Sequence, residues 1–179
     1  MVVADARPQP ADPAATRPAA PARACLTSLA VRDFRNLARV DLAPPPEGFA
    51  LVGENGQGKT NLLEAIHYLQ LLRSFRGARD AELVRFDTAG FHVAAEIANA
   101  AHRAVSVGFE RAGKRKRVLV DGDERPRLTE ALGAFPAVLL SPRDADIVAG
   151  APGARRRFLD LMLALSSRPY LGALQRYRI

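Results

Sequence analysis

The stretch "ALVGENGQGKTNLLEAIHYL", residues 50–69, runs apolar, then glycine-rich, then apolar again at helical spacing. Gly53, Gly58, Lys59 and Thr60 satisfy G-x-x-x-x-G-K-[ST], the phosphate-binding loop. The chemistry explains the residue types. Glycines let several backbone N–H groups converge on one concavity and let a phosphate approach the main chain. The helix that follows offers its first N–H groups and its partial positive charge to the same anion. Lys59 is placed for the β- and γ-phosphates of a nucleotide, and the Thr60 hydroxyl for Mg²⁺. With glycine near 7% of residues, a random position fits this pattern roughly once in tens of thousands. A strand–turn–helix that carries it by chance is the poorer reading. The expected contacts to ATP are Gly53, Glu54, Asn55, Gly56, Gln57, Gly58, Lys59, Thr60 and Asn61.

Binding is not hydrolysis. Enzymes with this loop also need an aspartate after an apolar strand to hold Mg²⁺, and a group that polarises the attacking water. Two stretches imitate that arrangement. In "RVLVDGDE", Asp121 follows Val118-Leu119-Val120, but the Asp-Gly step and the basic flank predict a hairpin turn. In "AVLLSPRDAD", Ser-Pro separates the strand from its acids. No catalytic residue is assigned.

Composition sets the frame. The chain has 179 residues, enough for one domain with a sizeable core and too few for two large ones. It contains no run of 18 apolar residues, so no membrane span is expected. A single cysteine, Cys25, excludes an internal disulfide, and His67, His92 and His102 are too scattered for a zinc site. A cytoplasmic protein is expected. The net charge is +7, and it is patched: from Arg103 to Arg117 there are six basic residues against one acid, Glu110. Such a patch suits an anionic partner such as nucleic acid.

Residues 1–25 are rich in alanine and proline and carry too little bulky apolar surface to offset the entropy of ordering. They read as a disordered tail, or as the product of an upstream start codon chosen in error. Then "LAVRDFRNLARVDL" alternates apolar and polar residues and predicts two strands joined near Arg35-Asn36. "GFALVG" predicts a short strand feeding the glycine turn. Asn61 to Leu72 predicts a helix with Leu62, Leu63, Ile66, Leu69 and Gln70 on its inner face. Residues 91–125 read as a small antiparallel sheet with a turn at Asp121-Gly122, and "FPAVLLSP" (135–142) as a further buried strand. A last helix starts near Pro152-Gly153 and is expected to bury Phe158, Leu159, Met162, Leu163 and Leu165.

Four blocks, "LAVRDFRNLARVDL", "LVGENGQGKTNLLEAIHYL", "LLRSFR" and "LLSPRDADIVAGAPGARRRFLDLML", together resemble the N-terminal part of the RecF family of DNA replication and repair proteins. The resemblance runs from about Leu26 to the end. It implies an α/β P-loop NTPase of ABC type over residues 26–179, related to SMC heads, with a small antiparallel sheet in its N-terminal lobe. Such a head binds Mg-ATP, forms an ATP-dependent homodimer, and binds duplex or single-stranded DNA. It would serve recombinational repair, replication restart and the SOS response, with a RecR-like mediator as partner. The family's signature motif and its Walker B acidic pair are not found before Ile179. The chain therefore reads as the first part of such a head, expected to hydrolyse ATP poorly by itself. One departure is Arg143 in "SPRDAD", where the family pattern has an acid; it puts a metal or water contact near Asp144 in doubt.

Several side chains keep two readings. Arg35 and Asn36 either touch the nucleotide, as the resemblance suggests, or sit in a solvated turn. Lys114, Arg115, Lys116 and Arg117 either contact DNA phosphates or only solubilise a surface hairpin. Arg73 and Arg76 serve DNA or the C-terminal dipole of the P-loop helix. Arg155, Arg156 and Arg157 stand where positive charge opposes the helix dipole, which suggests an ion pair with another lobe or with nucleotide; a pairing of Arg156 with Asp160 is the plainer alternative. Glu64 and His67 read as surface or packing residues. Two rival functions remain at this point: a small-molecule P-loop kinase with the arginines at 155–157 as its lid, and a DNA-binding module with a vestigial loop.

Overall fold

The computed structural model describes residues 23–177, apart from the side chain of Arg143. The tail expected over residues 1–25 therefore lies almost wholly outside the described residues, and the question raised at Arg143 does too.

Alternating apolar residues build one antiparallel sheet. β1 (Cys25–Phe34), β2 (Leu37–Leu42), β3 (Gly90–Ala98), β4 (Ala104–Glu110), β5 (Arg115–Val120) and β6 (Asp123–Glu124) lie in the order β2-β1-β3-β4-β5-β6. Leu29 and Val31 of β1, Phe91, Val93, Ala95 and Ile97 of β3, Val105, Val107 and Phe109 of β4, and Val118 and Val120 of β5 are all buried. The period of two puts them on one face. α1 (Lys59–Leu71) lies across that face and buries Leu62, Ala65, Tyr68 and Leu69 against it. Each such side chain contributes about 1.5–3 kcal/mol when taken from water.

An aromatic cluster centres the contact. The Phe91 ring stands 5.1 Å from Phe34, 5.4 Å from Tyr68 and 5.7 Å from Phe109. The Tyr68 hydroxyl donates to Asp80 at 2.6 Å, and Lys116 forms an ion pair with the same carboxylate at 2.7 Å. Burial, then the bond to Asp80, raises the Tyr68 pKa well above its ordinary value. Asp80 opens the short helix α2 (Asp80–Leu83). The remaining helices, α3 (Leu128–Ala131), α4 (Ala145–Ala149), α5 (Pro152–Ser166) and α6 (Arg168–Tyr177), follow the sheet in sequence.

The structure corrects three expectations. Residues 48–53 and 135–142 form no strand. Among the described residues no partner strand lies beside either segment, and an extended chain without a ladder leaves its backbone groups to water. Val52 is 93% exposed and Val138 100%. α5 starts where expected, but Phe158, Leu159, Met162 and Leu163 are about half exposed and only Ala164 is buried. α1 begins two residues early, at Lys59, and its inner face holds Glu64 and His67 while Leu63 faces out.

The turn at Asp121-Gly122 is the hairpin read from sequence, with φ of 55° and 91°. Positive φ at both central residues suits an Asp-Gly pair. The Asp121 carboxylate accepts from His102 Nδ1 at 2.8 Å and from the N–H groups of Arg103 and Ala104 at 2.7 and 3.0 Å. Those donors, His102 first, hold its pKa at about 2. A carboxylate depressed in this way stabilises the fold above its unfolded pKa and loses that effect as pH falls through its folded one. Melting temperature should therefore drop more steeply between pH 3.8 and about 2 in the native chain than in Asp121→Asn; parallel acid profiles would refute the assignment.

Candidate nucleotide site

The glycine turn lies exposed at the start of α1. Gly56 and Gly58 have φ of 86° and 98°, left-handed values that a side chain rarely adopts. Gly58 is the first residue before the helix, and its carbonyl accepts from the Leu62 N–H at 2.9 Å. No side chain caps α1, and its first turn holds no acid. The N–H groups there stay open to an anion, and the helix dipole favours one.

Lys59 closes the loop upon itself. Its ammonium donates to the carbonyls of Gly53 at 2.6 Å and Glu54 at 2.7 Å. The cation therefore sits at the mouth of the turn. Thr60 is exposed at the second helical position.

Behind the loop lies a polar chain. Asn36 Nδ2 donates to the Gly56 carbonyl at 3.1 Å, Asn61 Nδ2 donates to Asn36 Oδ1 at 2.8 Å, and Arg76 Nη1 donates to Asn61 Oδ1 at 3.0 Å. Arg35 turns away from the loop. Its Nε and Nη2 both donate to Glu64 at 3.0 Å, and its own N–H donates to the Leu83 carbonyl at 2.6 Å. Glu64 is completely buried, accepts also from the Ser74 hydroxyl, and has Arg76 Nη1 at 3.6 Å. The expectation of a plain surface or packing role for Glu64 is thus corrected. Glu64, Tyr68 and Leu71 share i, i+4, i+7 spacing, a signal of burial that its charge outweighed in the sequence reading.

His67 does pack. Its ring meets Phe75 edge-on at 5.6 Å, and burial, then the charge of Arg73, lowers its pKa.

The basic candidates divide. Lys114 is exposed in the turn before β5, Arg115 is exposed at the first position of β5, and Arg73 is exposed just past α1. Lys116 faces the other way, with its ammonium on Asp80 and on the Leu72 carbonyl at 2.8 Å. Arg117 pairs with Glu124 at 2.5 Å. Arg155 donates to the carbonyls of Ile147, Val148 and Gly150 at the end of α4, which accounts for a cation at the start of α5. The Asp160 carboxylate accepts from the Tyr170 hydroxyl at 2.7 Å. Asp144 accepts from the Ser141 N–H in its own turn. Among the described residues, no cluster of His, Cys, Asp and Glu is arranged to hold a metal ion, and no helix is long and apolar enough to cross a membrane.

No protein-family model matches the chain. It is 40% identical over 151 residues to the DNA replication and repair protein RecF of Chlamydia muridarum, which covers 84% of this chain and 41% of that one. A solved structure of the recombination mediator protein RecF with ATPrS, in the RecFOR pathway, superposes with a TM-score of 0.77 at 32% identity over 87% of this chain and 42% of that one. A structure from work on the ATP-driven dimerization and DNA-stimulated activation of SMC ATPases superposes with a TM-score of 0.61 over 77% of this chain and 99% of that one; at 18% identity it speaks for the fold alone. The chain spans about two fifths of the RecF proteins it matches. By sequence and by fold it is a relative of RecF, built on the P-loop head of the ABC-type ATPases.

Proposed function

We propose that this chain is the nucleotide-cradling part of a RecF-like ATPase head that acts in recombinational DNA repair and replication restart. The observation that carries the reading is the anion site itself: an uncapped N-terminus on α1, preceded by left-handed glycines, with the Lys59 ammonium held at the mouth. ATP fits this donor set, because its triphosphate accepts from backbone N–H groups and from an ammonium. Gly53 to Asn61 would hold the phosphates, and the Thr60 hydroxyl would ligate Mg²⁺, which neutralises phosphate charge when bound. The Walker B acidic pair of the RecF family is not found in this sequence, so turnover by this chain alone is expected to be slow.

The exposed apolar side chains support the view of one part of a longer head. Val52, Val138, Leu140 and the outer face of α5 have the composition of a core without its cover. In the longer protein, further chain would pair with residues 48–53 and 135–142 and supply the groups that ATP turnover needs. ATP-dependent dimerisation and a RecR-like partner belong to that longer protein and rest on the RecF likeness. DNA, duplex or single-stranded, would meet Arg73, Lys114 and Arg115, exposed members of the basic set, whereas Arg76 and Arg117, also exposed, are paired with Glu64 and Glu124. The bound ATPrS in the solved RecF relative favours this reading over a metabolite kinase.

Fluorescent mant-ATP should bind the native chain and not Lys59→Ala, whose melting temperature should stay close to native; equal binding by the two would refute the cradle. Gly58→Ala tests the loop from another side. A Cβ there would meet Asn36 Oδ1 and Leu37 Cδ2, each at 2.8 Å, at a φ of 98°. It should cost about 1–3 kcal/mol, lower the melting temperature by several degrees, and weaken mant-ATP binding. DNA affinity should fall with salt at a log–log slope near −0.9 for each phosphate neutralised. Removing Lys114 and Arg115 together should flatten that slope by roughly two; an unchanged slope would place DNA elsewhere.

A further inference from the structure

We propose that Glu64 is a positioning residue, which orders the nucleotide loop from behind through Arg76, Asn61 and Asn36 and so links the loop to the turn at Ser74–Arg76. The idea rests on the ATP reading above, but its geometry stands apart from any ligand.

A carboxylate withdrawn from water is costly unless it is paired and hydrogen-bonded, and an apolar residue of similar size would often be as stable. Here the acid is fully buried and is met by donors from two separate segments. Arg35 comes from the β1–β2 turn; Ser74 and Arg76 come from the turn after α1. The second of these turns is fastened again, because Ser74 Oγ accepts from the Arg76 N–H at 3.0 Å.

From Arg76 the bonds run one way. Arg76 donates to the Asn61 carbonyl oxygen, Asn61 donates to Asn36, and Asn36 donates to the carbonyl of Gly56. Each amide accepts on one side and donates on the other. Turning either Asn over would set donor against donor. A cation at one end therefore fixes the polarity of every bond down to the loop, and bonds in such a chain strengthen one another. The last of them holds the Gly56 peptide in a single orientation, at a glycine whose missing Cβ lets it adopt a left-handed φ of 86° and turn freely. Glu64 holds the cation. Arg76 is about two-fifths exposed and would otherwise wander in solvent.

The coupling is reciprocal by thermodynamic necessity. A nucleotide that orders the Gly56 peptide also orders Asn61 and Arg76, and with them the turn that carries Arg73. Disturbing that turn loosens the loop.

Two readouts on the intact chain test this. The first is hydrogen exchange of the amides of residues 53–60 without nucleotide, and the second is mant-ATP titration. Asn61→Ala and Arg76→Ala, both at partly exposed positions, should each quicken loop exchange and weaken mant-ATP by about tenfold, within the usual range of coupled sites. The double variant should be no worse than the poorer single one, since both cut the same chain. Glu64→Gln should quicken the same amides and add nothing when Asn61 is already alanine. Arg39→Ala, which breaks only an exposed pair with Asp41, should change neither readout. Additive effects in the doubles, or loop exchange at the native rate, would overturn the proposal; should Glu64→Gln fail to fold, the Asn61 and Arg76 pair decides it. If the native chain and Lys59→Ala bind mant-ATP alike, the ATP reading fails, and the exchange data still judge the loop.

Discussion

The rest of the molecule hangs on one carboxylate without access to water. Glu64 sits on the buried side of α1, and the helix can lie flat on the sheet only if that charge is met. Meeting it takes Arg35 from one turn and Ser74 and Arg76 from another. The two arginines therefore fix how the β1–β2 hairpin and the segment after α1 close around the helix. Hydrophobic burial supplies most of the stability: Phe34, Tyr68, Phe91 and Phe109 would cluster under many placements of α1. The ion pairs choose among those placements, because they are directional and an unmet charge is expensive. That choice sets where the first turn of α1 stands, and the proposed phosphate site is that first turn.

Much of the sheet was legible. Alternation gave β1, β3, β4 and β5 their inner faces, and Asp121-Gly122 gave its turn, since both signals are local and survive any tertiary context. The loop was legible for a similar reason: it is built from backbone, and only certain residue types permit that backbone. The two short apolar segments at 48–53 and 135–142 were read as strands because their composition suits one. A strand, unlike a helix, is completed only by its neighbour. Composition cannot say whether that neighbour is within reach, and among the described residues it is not. α5 makes the same point with packing in place of pairing. Its apolar residues mark a face that can be buried, not one that is.

Polar residues were harder to read for a different reason. The functions open to Arg35, Asn36 and Glu64 depend on partners far off in sequence, 29 residues away for the Arg35–Glu64 bond. From the sequence, Arg35 stood between nucleotide and a solvated turn, and the arginines at 155–157 between another lobe, nucleotide and a pairing of Arg156 with Asp160. In the fold, Arg35 serves a buried acid and Arg155 the carbonyl end of the helix before it. Asn36 does reach the loop, through its side-chain amide, which donates to the Gly56 carbonyl.

The basic run Lys114 to Arg117 shows how secondary structure limits what charge can do. Four cations in sequence suggest a continuous surface for a polyanion. A strand turns alternate side chains to opposite faces, so β5 cannot present them together. Lys116 goes to the core side, where its ammonium meets Asp80 over the Tyr68 ring, 5.1 Å from the centroid. Arg117 faces out but is matched by Glu124 across the β5–β6 pair. Glu124 offsets the charge that a phosphate would otherwise feel. What remains for an anionic partner is Lys114 in the turn and Arg115 at the first, exposed position of β5. The net charge of +7 counts all of these cations alike, and the fold does not.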